Sequence, residues 1–223
     1  MKKTIYAAFV FAALGLTSCG GGETSDAEMS ENKTEESNEN TEKEMPTTYK
    51  LVGDESKLGW KGTWIAPTGE DGAMEEQKNH TGTVQFTEGS LTKDGDNVTG
   101  GFTIDMTTIE NTDLTEADGK PKLEGHLASE DFFNVEQFSK AKVMLNGMKD
   151  GMADITIDVM GMTMNETVPM SLTEENGAMM LTGEFDVDFS ALEFGMFSPN
   201  PEKPEEGNID PNLSFNVKAK LAE

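Results

Sequence analysis

Asn212-Leu213-Ser214-Phe215-Asn216-Val217-Lys218-Ala219-Lys220-Leu221 alternates apolar and polar side chains without a break. Such 180° periodicity marks a strand with one face buried and the other in water. A second ladder, Met179, Leu181, Phe185, Val187 and Phe189, has the same character. Shorter ones are Tyr49 and Leu51; Leu58 and Trp60; Val84 and Phe86; and Phe102, Ile104 and Met106. Val143 and Leu145, then Ile155, Ile157 and Val159, then Val168, Met170 and Leu172 complete the set. Turn residues separate them at Lys93-Asp94-Gly95-Asp96-Asn97, Lys149-Asp150-Gly151 and Glu175-Asn176-Gly177, as two-residue hairpins require. Many strands at this spacing predict an all-β, antiparallel barrel or sandwich. Helix is scarce. Ser129 is positioned to cap a short helix through Glu130-Asp131-Phe132-Phe133-Asn134-Val135-Glu136, with acids in its first turn. The proline-rich stretch from Ser198 to Pro211 predicts a long loop before the last strand.

The N-terminal region has a different logic. Lys2 and Lys3 precede an apolar run over residues 5–16, which leads into Leu16-Thr17-Ser18-Cys19-Gly20. Positive flank, short apolar segment and small residues make residues 1–18 a signal peptide. The run into Cys19, the only cysteine, resembles the lipobox of bacterial lipoproteins. That resemblance implies cleavage before Cys19 and a lipid anchor on it, a diacylglyceryl group with a further acyl chain such as palmitate. Two or more chains give lasting membrane attachment, and the apolar run is too short to span a bilayer. Residues 19–46 then form an acidic tether without aromatic or branched aliphatic side chains, a composition that cannot offset its ordering entropy. As a coil it reaches roughly 30 Å. It serves either as a spacer or, by its acidity, as something similar to an export tag for surface lipoproteins. Gly20 stands in place of the aspartate that resembles an inner-membrane retention signal, so the outer membrane is the expected site, facing periplasm or cell surface.

Charge narrows the partners. The chain carries a net charge of −25 and no arginine, which argues against nucleic acid and anionic membrane surfaces. With no second cysteine, residues 47–223 must be held together by their own core.

Several blocks, in order, resemble the YceI-like family of bacterial lipid-binding proteins. They are Ser56-Lys57-Leu58-Gly59-Trp60-Lys61-Gly62, His80-Thr81-Gly82-Thr83-Val84-Gln85-Phe86, Gly89-Ser90-Leu91 and Gly101-Phe102-Thr103-Ile104-Asp105-Met106. Then come Leu123-Glu124-Gly125-His126-Leu127-Ala128-Ser129-Glu130-Asp131-Phe132-Phe133 and Ile155-Thr156-Ile157-Asp158-Val159-Met160-Gly161-Met162-Thr163. The resemblance implies a lipocalin-like barrel of about eight strands around an elongated apolar cavity that holds a polyisoprenoid chain. It also makes Trp60, Phe86, Phe102, Ile104, Met106, Phe132, Phe133, Phe185 and Phe189 candidates for the cavity wall. On period alone the same residues read rather as packed core. Where the family often has an arginine near the end of the next-to-last strand, this chain has Asp188 and Phe189. That departure, with the acidic balance, favours a neutral headgroup such as a quinone; Lys61 or Lys142 is the candidate cation for a phosphate instead.

Other chemistry has little support. His80 and His126, the only histidines, lack the close spacing of a metal site, and His126 reads as a structural residue bonding a neighbouring loop. Asp94, Asp96 and Asn97 lack the continuation of a calcium loop. Glu130-Asp131 reads as helix charge, and no nucleophile stands beside a base. Met160, Met162 and Met164 mark either an adaptable cavity mouth or a methionine-rich turn. The expectation is thus a non-catalytic, membrane-anchored carrier for an isoprenoid or other long-chain lipid, without metal or cofactor. The alternative is a structural or interaction lipoprotein whose barrel is filled.

Overall fold

The computed structural model describes residues 45–68, 72–192, 200 and 202–223. The signal peptide, Cys19 and all of the tether but Met45 and Pro46 lie outside these residues. The described chain is mostly antiparallel sheet, in eleven segments. They are β1 (Thr47–Leu51), β2 (Lys57–Thr68), β3 (Ala73–Asp94), β4 (Asn97–Asn111), β5 (Lys140–Lys149) and β6 (Met152–Val159). Then follow β7 (Met162–Pro169), β8 (Ser171–Glu175), β9 (Ala178–Asp188), β10 (Asn208–Ile209) and β11 (Asn212–Ala222).

Eleven segments replace the expected eight strands because three strands are interrupted. β1 and β2 both pair with β3 and with β11, on either side of a 3₁₀ turn at Gly53–Glu55. β10 and β11 both pair with β2, separated by Asp210-Pro211, where proline cannot donate to a ladder. β7 pairs with β6 while β8 pairs with β9, and only Met170 lies between them. That last break turns the chain from one neighbour to the other and closes the sheet into a ring. Counted round the ring there are eight ribbons in simple up-and-down order, with the ladder interrupted at this break, where β7 and β9 are not paired with each other.

The two ends of the ring differ. Tight turns at Gly95-Asp96, Asp150-Gly151 and Asn176-Gly177 close one end. At the last two, the asparagine or aspartate sits at φ 53° and its glycine at φ 77°, the double left-handed geometry of a hairpin turn that matches strand twist. Tyr49, Leu91, Val98, Ala153, Val168, Met179 and Leu221 are buried in this half. The opposite end carries the β2–β3 hairpin, the β4–β5 connection and the segment before β10 and β11.

The one α-helix among the described residues, α1 (Lys120–Ala128), belongs to the β4–β5 connection. It precedes Ser129 instead of following it. Gly119 at φ 100° ends the incoming loop and Pro121 sits in the first turn, where its missing N–H costs nothing. Ser129 is therefore a C-terminal cap: its N–H and its hydroxyl both donate to the His126 carbonyl, at 3.1 and 2.8 Å. Glu130 and Asp131 fall in turns, and Asn134 at φ 43° keeps that segment from continuing as helix. The expected loop up to Pro211 is also shorter than expected, since its described part includes a 3₁₀ turn at Pro204–Glu206 and strand β10.

Candidate functional site

The inward side chains meet in the closed half and stand apart in the other, leaving a cavity of about 420 Å³, within the 300–1,000 Å³ range usual for ligand sites. Each wall follows from strand parity. On β4, Phe102, Ile104 and Met106 face in; on β5, Ala141, Val143 and Leu145 do. β9 contributes Leu181, Phe185 and Val187, and β11 contributes Leu213, Phe215, Val217 and Ala219. All nine wall candidates named from the sequence border this space. Their rings pack in tilted pairs: Phe86 with Phe102 at 5.8 Å, and Phe185 and Phe189 with Phe215 at 6.2 and 5.9 Å. These offset arrangements suit the ring quadrupole. Phe132 and Phe133 meet edge to face at 4.6 Å, and with Leu123 and Leu127 of α1 they cover part of the open end.

Polar lining groups gather at that same end: Lys61, Thr63, Lys78, His80 and His126. His80 is tied down by a network that the sequence did not reveal. Its Nδ1 lies 2.8 Å from Asp113 Oδ2, while Asp113 Oδ1 accepts from Thr81 N and from Asn111 Nδ2, each at 2.7 Å. Burial pushes the Asp113 carboxyl up, yet hydrogen bonds from Thr81, His80 and Asn111 together hold it below the ordinary carboxylate value. As an ionised carboxylate can only accept, Nδ1 of His80 donates and Nε2 is the nitrogen left over. Asn111, wholly buried, also donates to the Thr81 carbonyl at 3.0 Å and accepts from Leu114 N at 2.8 Å, and its own N–H donates to Glu124 of α1 at 2.8 Å. The network thereby seats α1 against β3 and β4.

Other expectations are corrected here. Lys142 faces away from the cavity, since its β5 neighbours Ala141 and Val143 face in. Lys61 does border the cavity and pairs with Glu76 at 3.7 Å. His126 takes part in the loop through its backbone carbonyl, and its ring packs on Phe132 at 6.5 Å. Met160 forms a hairpin turn with Gly161 at the open end, Met162 is exposed and Met164 is buried, but none of the three borders the cavity. Asp188, in place of the arginine, is at the surface, and hydrogen bonds from Ser190 hold its carboxyl below the usual range. Trp64 and Lys78 were missed because they sit beyond the regular ladders, on a hairpin bent by a register shift at Trp64/Ile65.

Comparison with known proteins agrees with this geometry. The crystal structure of Burkholderia cenocepacia BcnA is similar at a TM-score of 0.54 and 13% identity, over 76% of this chain and 98% of that one. A Campylobacter jejuni YCEI protein is similar at 0.41 and 14%, over 62% and 84%. No curated protein matches the sequence. A family profile described as the YceI-like domain matches residues 49–221, nearly the whole barrel. The chain belongs to the YceI-like family.

Proposed function

We propose that this protein is a non-catalytic carrier or store for an isoprenoid or other long-chain lipid, anchored in the outer membrane through a lipidated Cys19. The observation that carries the reading is the division of the barrel: one half solidly packed, the other a cavity of about 420 Å³ with an almost wholly apolar wall. Water gains little in such a space, which has few partners for its hydrogen bonds. A hydrocarbon chain recovers the missing contacts and leaves water at about 0.8 kcal/mol per buried methylene. Affinity should therefore rise with tail length. An elongated cavity open at one end also suits transfer, since the guest enters and leaves by its long axis without breaking the ladder.

Organic extraction of the purified full-length protein, followed by mass spectrometry, tests this. Long-chain prenyl lipid in stoichiometric amount is the expected result. A protein that yields no lipid and takes up none of a series of prenols of increasing length is not a carrier, and the filled-barrel alternative would replace this reading.

A further inference from the structure

Granting the carrier reading on which this rests, we infer that the guest's headgroup is an anion of the phosphate type, held at the mouth by Lys78 with His80 beside it. The chain as a whole points the other way, with a net charge of −25 and no arginine. The mouth departs from that average. Among the described residues no aspartate or glutamate borders the cavity, whereas Lys61, Lys78, His80 and His126 do.

These four are not equivalent. Lys61 is neutralised by Glu76, and the His126 ring lies against Phe132. The Lys78 side chain forms no ion pair or hydrogen bond among the described residues, in a chain where acids outnumber cations 42 to 17. It alternates with His80 on β3, so both side chains stand on one face, opposite Trp64 and Gly62 of β2. Gly62 has no side chain to cover the imidazole. Nδ1 of His80 donates to Asp113, which leaves Nε2, an acceptor in the neutral imidazole, to take the O–H of a monoprotonated phosphate. Two acids beside these groups are already engaged: Glu76 by Lys61, and Asp113 by three donors.

A neutral head can accept a hydrogen bond from Lys78 but gains no attraction between opposite charges. A phosphate gains a charge-assisted hydrogen bond from the ammonium at the spot where the tail leaves the apolar wall. Lysine acts here as a point charge and does not need the planar fork of arginine.

The test uses probes that differ only in their heads, geranylgeraniol and geranylgeranyl phosphate. Both tryptophans of the chain, Trp60 and Trp64, border the cavity, so intrinsic fluorescence of the full-length protein, freed of co-purified lipid, reports occupancy. The phosphate should bind roughly tenfold more tightly than the alcohol at low salt. The advantage should shrink towards one near 1 M salt, where charges are screened within about 3 Å. Lys78→Met should abolish the phosphate's advantage and leave the alcohol unchanged, while Lys142→Met on the outer face of β5 alters neither. Equal affinities in the unaltered protein, or an undiminished advantage in Lys78→Met, would overturn the headgroup inference and leave the carrier reading intact. Failure of both probes to bind would remove both. Should Lys78→Met fail to fold, the salt-dependent comparison in the unaltered protein still decides.

Discussion

The indole of Trp60 lies directly over Gly82 of the neighbouring strand: a Cβ built on that glycine would fall 2.2 Å from Trp60 Cζ2 and 2.0 Å from the Glu110 carbonyl oxygen. The indole N–H in turn donates to the Thr83 carbonyl at 3.3 Å. One missing methyl group thus sets where a large ring stands in the cavity wall.

Gly82→Ala should therefore destabilise the barrel by about 1–3 kcal/mol, as overpacking does, because the Glu110 backbone cannot withdraw freely from a ladder. Thermal melting measures the loss, and tryptophan emission should shift as Trp60 is displaced. Unaltered melting and emission would show that β2 and β3 slide apart without strain.

The two halves of the barrel should respond differently to truncation. Leu221, fully buried in the packed half, should cost about 2–5 kcal/mol as Leu221→Ala. Phe185→Ala removes a ring that already faces empty space and pairs with Phe215 on one side only. It should cost less in denaturant unfolding and more in affinity for a prenol. Equal stability losses would mean that the cavity wall is packed as tightly as the base.

Acid should act on the Asp113 network. Its carboxyl titrates lower in the folded chain than its ordinary value of 3.8, so between those two values the unfolded chain binds more protons. The stabilisation is complete above about pH 5 and is lost as pH falls through the folded value. Asp113→Asn should lower stability near neutrality by about 1 kcal/mol, discounted for the group's partial exposure. It should also flatten the decline between about pH 5 and pH 3 relative to the unaltered protein. Urea midpoints across that range measure the difference, and parallel curves would deny the carboxylate its role.

Anchoring is tested by Cys19→Ser. The variant should stay unprocessed or leave the membrane fraction, and should take up no labelled fatty acid. Recovery in the membrane with normal processing would rule out the thiol as the attachment point.

Most of the sheet could be read from local signals. Ladders such as Ile155, Ile157 and Val159 declare a strand, and Asn176-Gly177 declares its turn, because side-chain parity and left-handed backbone are properties of a few adjacent residues. The candidate wall followed from the family resemblance, since parity alone does not separate wall from packed core. The helix did not: Ser129 followed by acids is the same local pattern whether the serine begins a helix or ends one. The choice was made by Gly119, Pro121 and the contact of Glu124 with Asn111. The mouth was illegible for a related reason. His80 meets Asp113 across 33 residues, and Lys78 reaches the rim only after the bend in β2. Neither distance leaves a trace in sequence spacing.

The ring closed by β11 also has a consequence in time. β11 pairs on one side with β1 and β2, at the start of the barrel, and on the other with β9. Until residues 212–222 have been synthesised, the two flanking strands are exposed edges and the cavity has a slit along its length. On the carrier reading, loading is therefore expected to follow completion of the final strand. Pairings of such long sequence separation form slowly, and open edges invite association with other chains. The same strand that shuts the container thus sets the interval during which the nascent protein most needs protection by a chaperone.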